Sequence, residues 1–209
     1  DLVLAVVGLA LTWPFWLLIA AAIKMDSPGP IFFRQERLGQ DSTPFDIIKF
    51  RTMIEDAERH GPQFACKGDP RNTWVGRILR QWRLDELPQL YNILKGEMSF
   101  IGPRPEREVF IREFQEMIPD CREGRRATDP QGVRVVYAYK ERLPYYSYRL
   151  LVRPGVTGWA QVMHRYAATL EDTKEKLQYD LYYIKNMGLV LDLAILLKTI
   201  RIVMFGWGR

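Results

Sequence analysis

The chain has 209 residues, with 30 Lys and Arg against 25 Asp and Glu, for a formal net charge of +5. Apolar residues make up 47% and charged residues 26%, a globular balance that excludes a disordered chain. Two cysteines, Cys66 and Cys121, exclude a disulfide framework. Two histidines, His60 and His164, exclude a His-based metal cluster.

The charge is unevenly placed. Leu2 to Ile23 form an uncharged run of 22 residues, and everything after Lys24 is mixed and polar. The chain therefore reads as a membrane-associated segment, residues 1–24, followed by a soluble catalytic or binding domain, residues 25–209. Asp1 stands where an initiator Met would, so the sequence reads as starting inside a longer protein. A straight helix over the apolar run reaches about 33 Å, enough for a bilayer core of about 30 Å. A signal peptide does not fit, for want of a basic n-region and a small-residue cleavage site. Pro14 removes a backbone donor and kinks a helix. Trp13, Phe15 and Trp16 gather beside it, and Trp prefers headgroup depth. On hydropathy alone, a spanning helix with a tolerated proline is the simpler reading. A re-entrant helix that bends at Pro14 and returns to the same face accounts for the proline and the tryptophans together. Lys24 then marks the cytoplasmic exit.

The remaining elements predict an α+β fold, mostly helical with a small β-hairpin. Ser27-Pro28-Gly29-Pro30 is a turn cluster. Ile31–Leu38 and Phe45–Arg51 are strand-like runs flanking turn residues Gly39 to Pro44. Residues 54–60 and 73–82 read as helices. So do Asp85 to Leu94 and Pro105 to Met117, each with a proline in the first turn. Residues 119–148, rich in Arg, Tyr and Pro, read as an irregular loop. Glu171 to Lys185 is amphipathic. Leu189 to Phe205 is strongly apolar despite Asp192, Lys198 and Arg201, and suits either a core or a membrane interface.

Arg83-Leu84-Asp85-Glu86-Leu87-Pro88-Gln89-Leu90 is the most informative stretch. Leu84, Leu87 and Leu90 are expected to bury one face, with Asp85 as N-cap. A helix start offers backbone donors and a positive dipole end to an anion. Two adjacent carboxylates there suit phosphoryl chemistry: one attacks phosphorus, the other holds a divalent cation. The plain alternative is a cap and a dipole-matched acid. Basic residues also stand beside rigid turns: Lys49 and Arg51 after the hairpin, Arg80, Arg104 in Gly102-Pro103-Arg104-Pro105, and Arg153 before Pro154-Gly155. Singly each reads as a solvated cation. Together they point to an anionic ligand, because guanidinium groups clamp phosphates bidentately. Arg122, Arg125 and Arg126 suit solvent or anionic headgroups. Tyr137, Tyr139, Tyr145, Tyr146 and Tyr148 suit packing or base stacking. Cys66, Cys121 and His164 read as structural.

The ordered motifs Asp26-Ser-Pro-Gly-Pro-Ile-Phe-Phe-Arg-Gln-Glu-Arg-Leu-Gly, Lys49-Phe-Arg-Thr-Met, Leu84-Asp-Glu-Leu-Pro-Gln-Leu, Ile101-Gly-Pro-Arg-Pro and Arg153-Pro-Gly-Val-Thr-Gly-Trp-Ala-Gln-Val resemble the bacterial sugar transferases, the monotopic polyprenyl-phosphate phosphoglycosyltransferases. The ending, Tyr179-Asp-Leu-Tyr-Tyr-Ile-Lys-Asn and Leu191-Asp-Leu, is similar to their exopolysaccharide-type branch. The resemblance implies transfer of a sugar 1-phosphate from a UDP-sugar to undecaprenyl phosphate, releasing UMP, at the cytoplasmic face of a bacterial inner membrane. It implies Asp85 as a nucleophile that carries a phosphosugar and Glu86 as the Mg2+ ligand. It also implies Lys49, Arg51, Arg80, Arg104 and Arg153 as phosphate contacts, and a re-entrant helix broken at Pro14. The family's Ser-Pro pair is here Trp13-Pro14, with Thr12 one residue earlier, and residues 119–141 are longer than the family's compact pattern.

Two other readings share these residues. One is a membrane-anchored nucleotide-sugar phosphohydrolase that uses water as acceptor. The other is a basic lipid-binding module without catalysis. Nucleic acid is not an expected partner, since a charge of +5 is mild and no nucleic-acid motif is present. Apolar positions in the C-terminal helix admit a homodimer.

Overall fold

The computed structural model describes residues 1–59, 69–106, 145–164 and 170–205. The readings for His60, Cys66, Cys121, Arg122, Arg125, Arg126, Tyr137, Tyr139, residues 119–141 and the helix beyond Glu106 lie outside them. The fold is mostly helical, with two small sheets and one long apolar helix at the N-terminus. Backbone contacts divide it into two compact units. The first comprises Asp1–Gln35, Asp46–Met98 and Thr199–Arg209, and the second Glu36–Phe45 with Ser99–Lys198.

In the first unit, α1 (Leu2–Asp26) continues through Pro14, so the proline does not split it into two helices. The Thr12 hydroxyl donates to the Gly8 carbonyl at 2.7 Å, and the Trp16 indole donates to the Thr12 hydroxyl at 3.2 Å. Ala5, Gly8, Thr12, Trp16, Ile19 and Ile23 recur at three- and four-residue spacing, which gathers them on one stripe. That stripe is the covered side of α1. Ala5 and Ile23 are buried, and a Cβ on Gly8 would lie 3.2 Å from Leu90 Cδ1. The rest of the helix surface exposes Leu2, Val3, Leu11, Phe15, Leu17 and Leu18.

The hairpin reading holds, with β1 (Phe32–Leu38) paired to β2 (Pro44–Phe50). Its turn is closed by the Gly39 N–H on the Thr43 carbonyl, at 2.8 Å. Phe45, Ile47 and Phe50 of β2 are buried. Phe50 joins Ile23 and Leu79 in a core that Trp16, Ile31, Val75 and Leu87 cover. Residues 55–59 form turns rather than the expected helix. α2 (Trp74–Gln81) is capped by Thr73, whose hydroxyl accepts from the Gly76 N–H at 3.0 Å. α3 (Gln89–Leu94) carries the fully buried Asn92. Its amide donates to the Asp46 carbonyl and to Glu97, both at 2.7 Å, and its oxygen accepts from the Ile48 N–H at 3.1 Å. One side chain thus fixes α3 against the edge of β2.

In the second unit, β3 (Ser99–Ile101) and β4 (Gly155–Thr157) pair in parallel, Ser99 opposite Gly155 and Ile101 opposite Thr157. This pair was not anticipated, because strands of three residues are too short to show a period. α4 (Trp159–Met163) and α5 (Leu170–Lys185) follow, then α6 (Leu189–Phe205), whose residues from Thr199 on are counted in the first unit. The last two match the expected helices to within a residue. Tyr146 is buried with Leu38 and Leu177, so it packs a core, whereas Tyr145 and Tyr148 are exposed.

Candidate active site

Asp85 and Glu86 lie in a single 3-10 turn, Leu84–Glu86, that α2 packs against. Asp85 is not the N-cap. Arg83 stands at that position in the left-handed region, at φ 55° and ψ 22°, and makes no side-chain cap. A non-glycine residue in that region stores about 1–3 kcal/mol of strain. The expected burial of Leu84 is also reversed: Leu84 is 36% exposed, while Asp85 is 7% and Glu86 8% exposed. The tight turn and the left-handed Arg83 point the acid pair inward and the leucine out.

Buried carboxylates need partners. Glu86 has two cations: Oε1 lies 2.9 Å from the Lys49 ammonium and Oε2 lies 3.5 Å from Arg83. Lys49 comes from β2, whose edge Asn92 holds. The acid pair, a lysine and an arginine thus converge within the unit that contains α1. This arrangement offers a nucleophilic carboxylate, a second carboxylate able to hold a cation, and positive charge to offset an incoming phosphate.

The other basic residues are placed differently. Arg51 is buried and donates to the carbonyls of Ser27, at 2.8 Å, and Pro28. Arg80 donates to Asn72 Oδ1 at 2.7 Å. Arg104 and Arg153 belong to the second unit, where three glycines let two chain segments meet backbone to backbone. A Cβ on Gly155 would lie 2.1 Å from the Gly102 nitrogen, and one on Gly158 would lie 2.1 Å from the Gly102 oxygen. This contact fixes the turns that present both arginines. Arg153 is exposed and Arg104 half-buried. His164 Nε2 lies 3.3 Å from Glu175, in keeping with a structural role.

The bacterial sugar transferase family matches residues 1–131 and 124–206 of the sequence. The chain belongs to this family. Within it, the chain is 45% identical over 208 residues to the UDP-N-acetylgalactosamine-undecaprenyl-phosphate N-acetylgalactosaminephosphotransferase of Aeromonas hydrophila, covering 100% of this chain and 43% of that protein. It is 40% identical over 204 residues to the UDP-glucose:undecaprenyl-phosphate glucose-1-phosphate transferase of Caulobacter vibrioides, 96% of this chain and 66% of that one. It is 36% identical to the exopolysaccharide production protein PSS of Rhizobium leguminosarum, 96% of this chain and 90% of that one. The chain therefore spans less than half of its Aeromonas relative and nearly all of its Rhizobium relative.

Among sugar transferase residues that sequence reasoning passed over, Arg83 and Asn92 matter most. A left-handed arginine leaves no sequence signal, but an Asn inside the apolar helix Gln89–Leu94 is one. A buried charge cluster in the second unit was also missed. Arg149 Nε lies 2.8 Å from Asp180 and Nη1 lies 3.1 Å from Glu106, which Lys176 also meets at 2.7 Å. Burial alone would raise Glu106, but the Arg149 and Lys176 charges hold its carboxyl well below the usual range.

Proposed function

We propose that the chain transfers a sugar 1-phosphate from a UDP-sugar to undecaprenyl phosphate, in two steps at Asp85. In the first, an Asp85 oxygen attacks the phosphorus that carries the sugar. The new aspartyl O–P bond forms as the bond to the bridging oxygen breaks, and UMP leaves. In the second, an oxygen of undecaprenyl phosphate attacks the same phosphorus, and the Asp85 carboxylate is released with undecaprenyl-diphosphate-sugar. The carrying observation is the inward-turned acid pair beside Lys49 and Arg83. The relatives' names support the substrate classes, and the exopolysaccharide production protein supports a role early in surface-glycan assembly.

Glu86 is the residue assigned to hold Mg2+. Mg2+ takes one or two carboxylates and completes its shell with water and substrate phosphate, and adjacent Asp85 and Glu86 offer that donor set. When bound, the ion supplies Lewis-acid screening of the diphosphate charge. Lys49, and Arg83 with it, offset the remaining negative charge around Glu86.

The membrane reading rests on α1, which is long and apolar enough to cross a bilayer. We infer a re-entrant course from its contacts, one that requires α1 to bend at Pro14 without breaking there. A crossing helix leaves its domain at one end, whereas α1 meets the first unit near both ends, at Gly8 against Leu90 and at Ile23 against Phe50 and Leu79. The exposed apolar residues Leu189, Val190, Leu193, Leu197, Ile200 and Met204 of α6 form a further stripe, assigned here to the bilayer interface rather than to a second copy. Lys198 and Arg201 flank it, as suits anionic headgroups. The test is release of UMP from a panel of UDP-sugars, with and without undecaprenyl phosphate and Mg2+. Turnover to free sugar phosphate without the lipid would instead support a hydrolase.

A further inference from the structure

The last residue of α1 and the turn after it are engaged at each position from Asp26 to Gly29. Asp26 Oδ2 accepts from the Val75 N–H at 2.9 Å, in the first turn of α2. The Ser27 and Pro28 carbonyls accept from Arg51, and the Gly29 carbonyl accepts from Lys24 at 2.8 Å. Gly29 sits at φ +110°, and a Cβ there would lie 2.6 Å from Arg51 Nη1, so the turn is moulded around the guanidinium. The start of α2 is pinned from the other side too. The Thr73 N–H donates to the Thr52 carbonyl at 3.1 Å, and a Cβ on Gly76 would lie 2.0 Å from that same oxygen. At its far end α2 packs on the Leu84–Glu86 turn that holds the acid pair. A single helix of eight residues, about 12 Å long, thus joins the end of α1 to the candidate nucleophile.

We propose that α2 is a strut that sets the position of Asp85 relative to α1, with Asp26 as the positioning residue at its joint. This rests on the reading of Asp85 as the nucleophile in transfer at a membrane. A UDP-sugar arrives from water and can meet a displaced Asp85 equally well. The lipid phosphate is confined to headgroup depth and cannot follow it. Loosening the joint therefore slows the second step and spares the first.

The experiment uses the full chain in phospholipid vesicles with undecaprenyl phosphate and radiolabelled UDP-N-acetylgalactosamine or UDP-glucose, whichever the wild type turns over. Label on the protein without lipid acceptor reads the first step, and chase of that label into lipid reads the second. Asp26→Ala is expected to label within about twofold of wild type and to chase about 10- to 100-fold more slowly, the scale of a small misplacement. Asp26→Asn keeps an acceptor for Val75 and is expected to restore the chase. If Asp26→Ala is not recovered folded, Asp26→Glu keeps the carboxylate but moves it by one methylene from the Val75 N–H, and gives the same split at smaller amplitude. Both steps slowed by one factor, or neither slowed, would overturn the strut. Absence of label on the wild type would overturn the nucleophile reading itself, and the strut with it.

Discussion

The Lys49 ammonium lies 2.9 Å from Glu86 Oε1 across 37 residues of sequence. The contact is made by a local device: Asn92, six residues after Glu86, binds the backbone on both sides of Ile47 and so sets the register of β2. Lys49→Met removes the nearer of the two cations seen beside the buried Glu86 and leaves Arg83 at 3.5 Å. It is expected to cost about 1–3 kcal/mol of stability, read by thermal unfolding, and to reduce UMP release by at least about tenfold. Lys49→Arg, which keeps the charge, is expected to retain most of the stability.

The backbone contact between Gly102, Gly155 and Gly158 predicts a contrast among glycines. Gly158→Ala drives a methyl to 2.1 Å from the Gly102 carbonyl. It is expected to cost about 3 kcal/mol or more, at or above the top of the usual range for overpacking, because the contact is with backbone. Gly96→Ala meets nothing within 4 Å and bears only its φ of +78°, at about 1–2 kcal/mol. Urea unfolding of the two variants separates them, and equal losses would contradict the close approach.

Glu106 makes stability depend on acid. Its folded pKa lies below its unfolded value, so the folded state binds fewer protons across that interval. Its contribution is present above the ordinary glutamate value of 4.5 and is lost as pH falls below it. Glu106→Gln is expected to flatten the decline in unfolding free energy between about pH 6 and pH 3. An unchanged slope would show that the Arg149 and Lys176 charges do not act on Glu106.

Arg149 serves both Glu106 and Asp180, and its own pKa is held well above the ordinary arginine value by those two acids despite its burial. Arg149→Met takes the paired cation from the buried Asp180 and leaves Glu106 to Lys176, and is expected to cost about 3–5 kcal/mol. In a double-mutant cycle with Asp180→Asn the two losses should fall short of additive.

Much of the fold was legible because its signals are local. The hairpin announced itself by turn residues between β-rich runs, and α1, α5 and α6 by long apolar or amphipathic stretches. The acid pair stood out as adjacent carboxylates, but the expected helix over Asp85 to Leu94 is instead a 3-10 turn, Leu84–Glu86, followed by α3 from Gln89. What sequence could not supply were features set by contact. Leu84 is exposed because Arg83 takes a left-handed conformation. The three-residue strands β3 and β4 exist because glycines on both segments permit backbone contact. Arg51 reads as a phosphate clamp in sequence, yet its guanidinium is occupied by the Ser27 and Pro28 carbonyls.

The most direct measurement is intact-protein mass spectrometry after brief incubation with Mg2+ and a turned-over UDP-sugar, without lipid acceptor. The wild type is expected to gain the mass of one sugar phosphate, mapped by peptide analysis to Asp85, and Asp85→Asn to gain none. An adduct retained by Asp85→Asn, or full transfer to undecaprenyl phosphate by that variant, would contradict the account.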